Sequence, residues 1–112
     1  MAYDENLVSR IRHVLAKEGT VGEKRMFGGV TFMLGGNMCC GVVKDLLMVR
    51  VGPENYEQAL AEPHVQPMSF TGRSFKGYLY VSPEGCRTDD ALRKWVLMAA
   101  RFTSTLPSKA KG

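Results

Sequence analysis

The sequence is poor in the residues that build cross-linked or reactive sites. It has three cysteines, two histidines and one tryptophan in 112 residues. The odd set Cys39, Cys40 and Cys86 defines no disulfide framework and suits a reducing compartment. No CxxC spacing occurs, and His13 and His64 lie far apart, so no metal site is expected. No apolar run approaches the roughly 20 residues of a membrane-spanning helix. The acidic start MAYDENL has no apolar segment of the kind a secretory signal needs. These absences predict a cytoplasmic protein with no membrane contact, no cofactor and no catalytic residues.

Glycine and methionine are plentiful, with 12 and 7 residues. Many fall in the stretch KRMFGGVTFMLGGNMCCGVVKDLLMVRVG, residues 24 to 52. At 45% hydrophobic and 23% charged, the chain reads as globular rather than disordered. Its length predicts one domain over 1–112, with a flexible tail at 107–112. The net charge of +4 is mild, and its Arg and Lys residues are scattered. Such a balance permits nucleic-acid contact without requiring it.

Asp4 is placed to cap a first helix. Leu7, Ile11, Val14 and Leu15 recur at helical spacing after it, and Gly19 marks the end. In the glycine-rich stretch, Gly35-Gly36 and Lys44-Asp45 read as tight turns. They join strands at about 26–34, 37–43 and 46–51 in an antiparallel meander. With unbroken pairing, residue 32 faces 39 and residue 30 faces 41. One face then carries Phe27, Thr31, Met33, Met38, Cys40, Val42, Leu47, Val49 and Val51, an apolar set assigned to the core. The other carries Val30, Phe32, Leu34, Cys39, Val43, Leu46, Met48 and Arg50 and is notched by Gly28 and Gly41. An open antiparallel sheet normally shows water a polar face. This one is apolar on both, so a helix or a second subunit is expected to cover the second face.

Gly52-Pro53-Glu54 opens a short helix that Pro63 stops. Residues 63–74 read as a loop, with an extra strand near 68–71. Phe75, Gly77, Leu79 and Val81 alternate with Lys76, Tyr78 and Tyr80 in a further strand. Ser82-Pro83-Glu84-Gly85 is a turn. Thr88 caps a last helix with Asp89 and Asp90 in its first turn. Leu92, Trp95, Val96, Ala99 and Phe102 form its apolar stripe. The expected class is α+β, an antiparallel meander with flanking helices in the order α-β-β-β-α-β-α.

Each candidate site has a structural alternative. GGVTFMLGG lacks the lysine and hydroxyl residue of a phosphate loop, and its glycines serve turns and close packing. Cys39 and Cys40, as neighbours on a regular strand, point to opposite faces and cannot share an ion. The methionines fill gaps in a core or an adaptable interface. No base is placed beside a cysteine by spacing alone. Asp89 and Asp90 complement a helix dipole. Lys76, Tyr78 and Tyr80 share a strand face that, with Arg50 and Arg73, would suit an acidic partner or nucleic acid.

The segment RMFGGVTFMLGGNMCCGVVKDLLMVRVGPENYEQAL resembles the N-terminal domain of the TfoX/Sxy family of bacterial competence regulators. The likeness lies in the M-F-G-G start, the aromatic Phe32, the small-residue strand from Met38 to Gly41 and the L-x-x-R ending at Leu47 to Arg50. The later GYLYVSPEGCRTDDALRKWVLMAA is similar to the family's aromatic strand, V-P turn and acid-started Trp helix, with Ser82 set between Val81 and Pro83. The resemblance implies an α+β domain with an antiparallel sheet and a regulatory role. It supplies no catalytic residue. The second, helical domain of the best-known members has no counterpart in these 112 residues.

The expected function is a small non-enzymatic regulatory or protein-interaction module. Its surface would draw on Val30, Phe32, Met48, Arg50, Arg73, Lys76, Tyr78 and Tyr80. An unidentified protein partner is expected, with a homodimer as one form of it. The alternatives are nucleic-acid binding and, more weakly, a small-ligand or enzymatic pocket near Phe27-Gly28-Gly29 and Cys39.

Overall fold

The computed structural model describes residues 3–18, 21–26, 28–70 and 73–107, with the side chains of all but Met26, Ser69, Phe70 and residues 73–76. Helix α1 spans Glu5–Leu15. The Asp4 carboxylate accepts from the backbone N–H groups of Asn6 and Leu7 at 2.9 and 3.1 Å, which satisfies donors the helix itself leaves open. Leu7, Val8, Ile11 and Leu15 turn inward. Gly19, the expected stop, lies outside the described residues.

Six antiparallel strands follow: β1 (Val21–Met26), β2 (Gly29–Leu34), β3 (Asn37–Val43), β4 (Leu46–Arg50), β5 (Val65–Phe70) and β6 (Arg73–Val81). Their spatial order is β1-β2-β3-β4-β6-β5. Helix α2 (Pro53–Leu60) links β4 to the far edge strand β5, so β6 returns between them. A single 3₁₀ turn, Pro83–Cys86, leads to helix α3 (Asp89–Ser104). The Thr88 hydroxyl caps α3 by accepting from Ala91 N–H at 3.1 Å.

The two short turns form as expected. Gly35 and Gly36 have φ of 62° and 83°, which suits the right-handed twist of a two-residue hairpin. Lys44 closes the next turn at φ 58°. The expected strand 26–34 is instead two strands. A hairpin around Gly28 (φ 78°) returns the chain along β1, and Phe27 lies outside the described residues. The extra strand expected near 68–71 is present as β5, which begins earlier at Val65, and the end of the expected loop 63–74 is paired in the start of β6.

The largest correction is register. Leu34 pairs with Asn37 and Met33 with Met38, as a tight turn requires, but Phe32 then pairs with Cys40 and Val30 with Val42. A β-bulge has inserted Cys39 as an extra residue. A shift of one residue exchanges the two faces of a strand. Val30 and Phe32 therefore join Cys40, Val42, Leu47, Val49, Leu79 and Val81 beneath the helices. Thr31 and Met33 take the opposite face.

The main core lies between this side of the sheet and side chains of all three helices. Phe32, Ile11, Leu15, Leu47, Leu79 and Leu92 are its largest fully buried members. Arg10 fastens α1 to the start of α3, donating to the Arg87 carbonyl at 3.0 Å and pairing with Asp89 at 3.4 Å. Lys94 pairs with Glu62 at 3.1 Å and so ties α3 to the end of α2. No helix among the described residues is long and apolar enough to cross a membrane.

Candidate functional site

On the opposite face a second, smaller cluster forms, with no helix residue in it among the described residues. Met48 and Met68 are its floor, both fully buried, and Tyr80 packs over them. Met38, Val43, Leu46 and Tyr78 are half-buried around it. The sequence places these groups through strand alternation: Leu46, Met48 and Arg50 leave β4 on one side, Tyr78 and Tyr80 leave β6 beside them. Gln66 pairs with Tyr80, so Met68, two residues on, reaches the same face from β5. Burial raises the Tyr80 phenol above its ordinary range.

Two glycines shape this face. Gly41 pairs with Met48, whose side chain fills the notch that the glycine leaves. A Cβ at Gly41 would strike the Val30 carbonyl, and one at Gly29 would strike the Val42 carbonyl. Each glycine thus permits a close approach of β2 and β3.

Arg50 closes one end of the face. Its guanidinium carbon lies 5.2 Å from the centre of the Tyr78 ring and 5.5 Å from that of Phe102. Its Nη1 donates to the Met38 carbonyl at 3.2 Å. By strand alternation, Arg50 is the only charged side chain that β2, β3, β4 and the described part of β6 place on this face.

The expected surface residues therefore separate. Met48, Arg50, Tyr78 and Tyr80 are brought together. Val30 and Phe32 are buried under the helices, at 6% and 0% exposure, because the bulge moved them. The side chains of Arg73 and Lys76 lie outside the described set. Alternation placed Val43 on this face, as found, but put Met38 on the core face, and the bulge at Cys39 reverses that assignment. Met68 was hidden by Pro67.

The cysteines also depart from expectation. Cys39 and Cys40 do not point to opposite faces; both belong to the helix-covered core and both are fully buried. The Cys39 thiol is held below the ordinary thiol range by a hydrogen bond from Cys40, helped by Thr103 and the charge of Arg50, against the effect of burial. The Cys40 thiol is driven well above it by the same contact and by burial. Cys86 is separate. Its thiol donates weakly to the Ser82 carbonyl at 3.7 Å and is raised by burial.

Two open clefts of about 450 Å³ lie elsewhere. One is bounded by α1 and β1 near Tyr3, Arg12 and Lys24, the other by α2 and α3 near Asn55, Arg93 and Phe102. In the first, Arg12 makes a two-point ion pair with Glu23 at 2.7 and 2.9 Å. Among the described residues no three His, Cys, Asp or Glu side chains converge as metal ligands.

A twisted antiparallel sheet, helices on one side and a methionine–tyrosine face on the other, defines a small α+β domain. The family model for the TfoX N-terminal domain matches residues 13–103, and the chain belongs to that family. That match spans the meander, the aromatic strand and α3. No curated protein matches the sequence.

Proposed function

We propose that the chain is a non-enzymatic regulatory module that binds another protein through the Met48–Met68–Tyr80 face. The observation that carries this reading is an apolar cluster on this sheet face that includes no helix residue among the described residues, with Arg50 as the only charged side chain that β2, β3, β4 and the described part of β6 place beside it. Methionines adapt their shape to a partner, and tyrosines supply large contact area at low entropy cost. Membership of the TfoX N-terminal family supports a regulatory role. A second copy of the chain is the simplest occupant, joined through the same face on both subunits.

The test has two parts. Light scattering over a concentration series reads self-association, and Leu46→Glu should abolish it by burying a charge at the rim. If the chain stays monomeric, a photo-crosslinking residue at Tyr78 should capture a partner in cells, and Leu46→Glu should prevent capture. Adducts unaffected by Leu46→Glu would overturn the reading. So would tight, salt-steep DNA or RNA binding that survives that substitution, since phosphate contacts would then carry the function.

A further inference from the structure

The adjacent cysteines occupy an unusual position. Cys39 is skipped in the register between β2 and β3, and it lies beyond the last β3–β4 pair, Cys40 with Val49. The ladder is thus open on both sides at this residue. Arg50 takes the Met38 carbonyl in place of a strand partner. In a regular strand, neighbouring side chains diverge to opposite faces. Here the bulge turns both thiols into one core, against Thr103 of α3. The Thr103 hydroxyl, itself buried, is anchored to the Ala99 carbonyl at 2.7 Å.

We propose that Cys39 and Cys40 form a redox-active vicinal dithiol, closed to a disulfide by peroxides and reopened by thiol reductants. Cys39, as thiolate, attacks one peroxide oxygen. The O–O bond breaks, hydroxide leaves and takes up a proton, and Cys39 becomes a sulfenic acid. The Cys40 sulfur then attacks the Cys39 sulfur. The S–S bond forms as the S–O bond breaks, and the Cys40 proton departs with the hydroxyl as water. Two thiols and one hydrogen peroxide give one disulfide and two waters. The reverse step consumes two equivalents of thiol reductant.

The roles follow from the surroundings. Cys39 receives the hydrogen bond and the nearby Arg50 charge, so it is the attacking sulfur. Cys40, held well above the ordinary thiol range by its contact with Cys39, keeps its proton and is the resolving one. Neighbouring Cα atoms are about 3.8 Å apart, shorter than the usual 4.4–6.8 Å across a disulfide. The closed ring is therefore strained and readily reduced, which suits a reversible switch rather than a staple. A skipped residue can absorb the backbone twist that ring closure demands, whereas a paired one would lose ladder bonds. Closure would pull Cys39 from Thr103 and so reach α3.

The test treats the folded chain with hydrogen peroxide, alkylates under denaturing conditions and maps the peptide that holds both cysteines. Wild type and Cys86→Ser should lose two thiols together, with a mass lower by two hydrogens, and dithiothreitol should restore both. Cys39→Ser and Cys40→Ser should form no internal disulfide. Addition of oxygen to Cys39 without pairing would overturn the proposal. Pairing that appears only after unfolding in urea would overturn it too. Cys86→Ser keeps both sulfurs, so the outcome does not depend on whether the other two variants fold.

Discussion

The Arg50 guanidinium lies 5.2 Å from the Tyr78 ring centre while its Nη1 donates to the Met38 carbonyl at 3.2 Å, so one side chain joins β3, β4 and β6. Phe102 of α3 approaches the same group at 5.5 Å. Cation–π contacts contribute about 0.5–1 kcal/mol each at partly exposed sites. A hydrogen bond involving a charged group contributes about 1.5–3 kcal/mol net, less where it is partly exposed. Arg50→Ala should lower unfolding free energy by about 2 kcal/mol in urea titrations. Arg50→Lys should recover only part of it, because an ammonium cannot stack flat on a ring. Equal stability of wild type and Arg50→Ala would show that this junction contributes nothing.

Phe32 gives a second prediction. It is fully buried in the main core on the helix side of the sheet, whereas Leu46 is half-buried at the rim of the methionine–tyrosine face. Phe32→Ala should cost about 3–5 kcal/mol, the range for an aromatic removed from a core. Leu46→Ser should cost roughly 1 kcal/mol or less. A reversed order, measured by chemical denaturation, would place Phe32 on the working surface after all.

This contrast shows how far the sequence could be read. Helix caps, turn glycines and the stripes of α1 and α3 are local features, and Asp4, Thr88, Gly35 and Gly36 all perform the roles their types suggest. The face of Val30 and Phe32 depends on a bulge on the neighbouring strand, one turn of chain away. A bulge leaves no sign in an apolar run where every residue tolerates either face, and Cys39 and Cys40 are alike in size and polarity. The edge strands were also hard to see. β1 carries Glu23, Lys24 and Arg25, and β5 carries Pro67, which are the charges and proline that guard a sheet edge against pairing with other chains. The features that make good edges make poor strand signals.

The Arg12–Glu23 pair predicts acid sensitivity. The Arg12 hydrogen bonds hold the Glu23 carboxyl below the usual carboxylate range. Its folded pKa is thus lower than its unfolded value of about 4.3. Stability from this source is fully present above the unfolded value and is lost as pH falls through the folded one. Arg12 stays charged throughout, so Glu23 alone sets the window. Glu23→Gln should lower the thermal midpoint slightly at neutral pH, and the difference from wild type should vanish toward about pH 3. The pair is exposed enough for salt to weaken it, so added salt should shrink the neutral-pH difference. A difference that persists in acid would mean that Glu23 acts through packing rather than charge.

Gly41 and Gly22 form an internal control on close strand packing. Both are glycines in strands without positive φ, so an alanine is conformationally allowed at either. Around Gly22 a Cβ would meet nothing within 4 Å. Around Gly41 it would strike the Val30 carbonyl and press on the Met48 methyl at 3.3 Å. The carbonyl belongs to a paired strand and cannot retreat without opening β2 from β3, and Met48 would have to leave the notch that makes it the floor of the methionine–tyrosine face. Gly22→Ala should be neutral or stabilise by up to about 1 kcal/mol through the unfolded chain. Gly41→Ala should destabilise by about 2 kcal/mol or more, as overpacking in a rigid core does. It should also weaken whatever binds the Met48 face, while Gly22→Ala leaves binding intact. Measuring unfolding and association on the same two variants separates these effects. If Gly41→Ala folds with wild-type stability yet loses association, the notch serves the partner and not the sheet; if it loses stability alone, the binding surface does not include Met48.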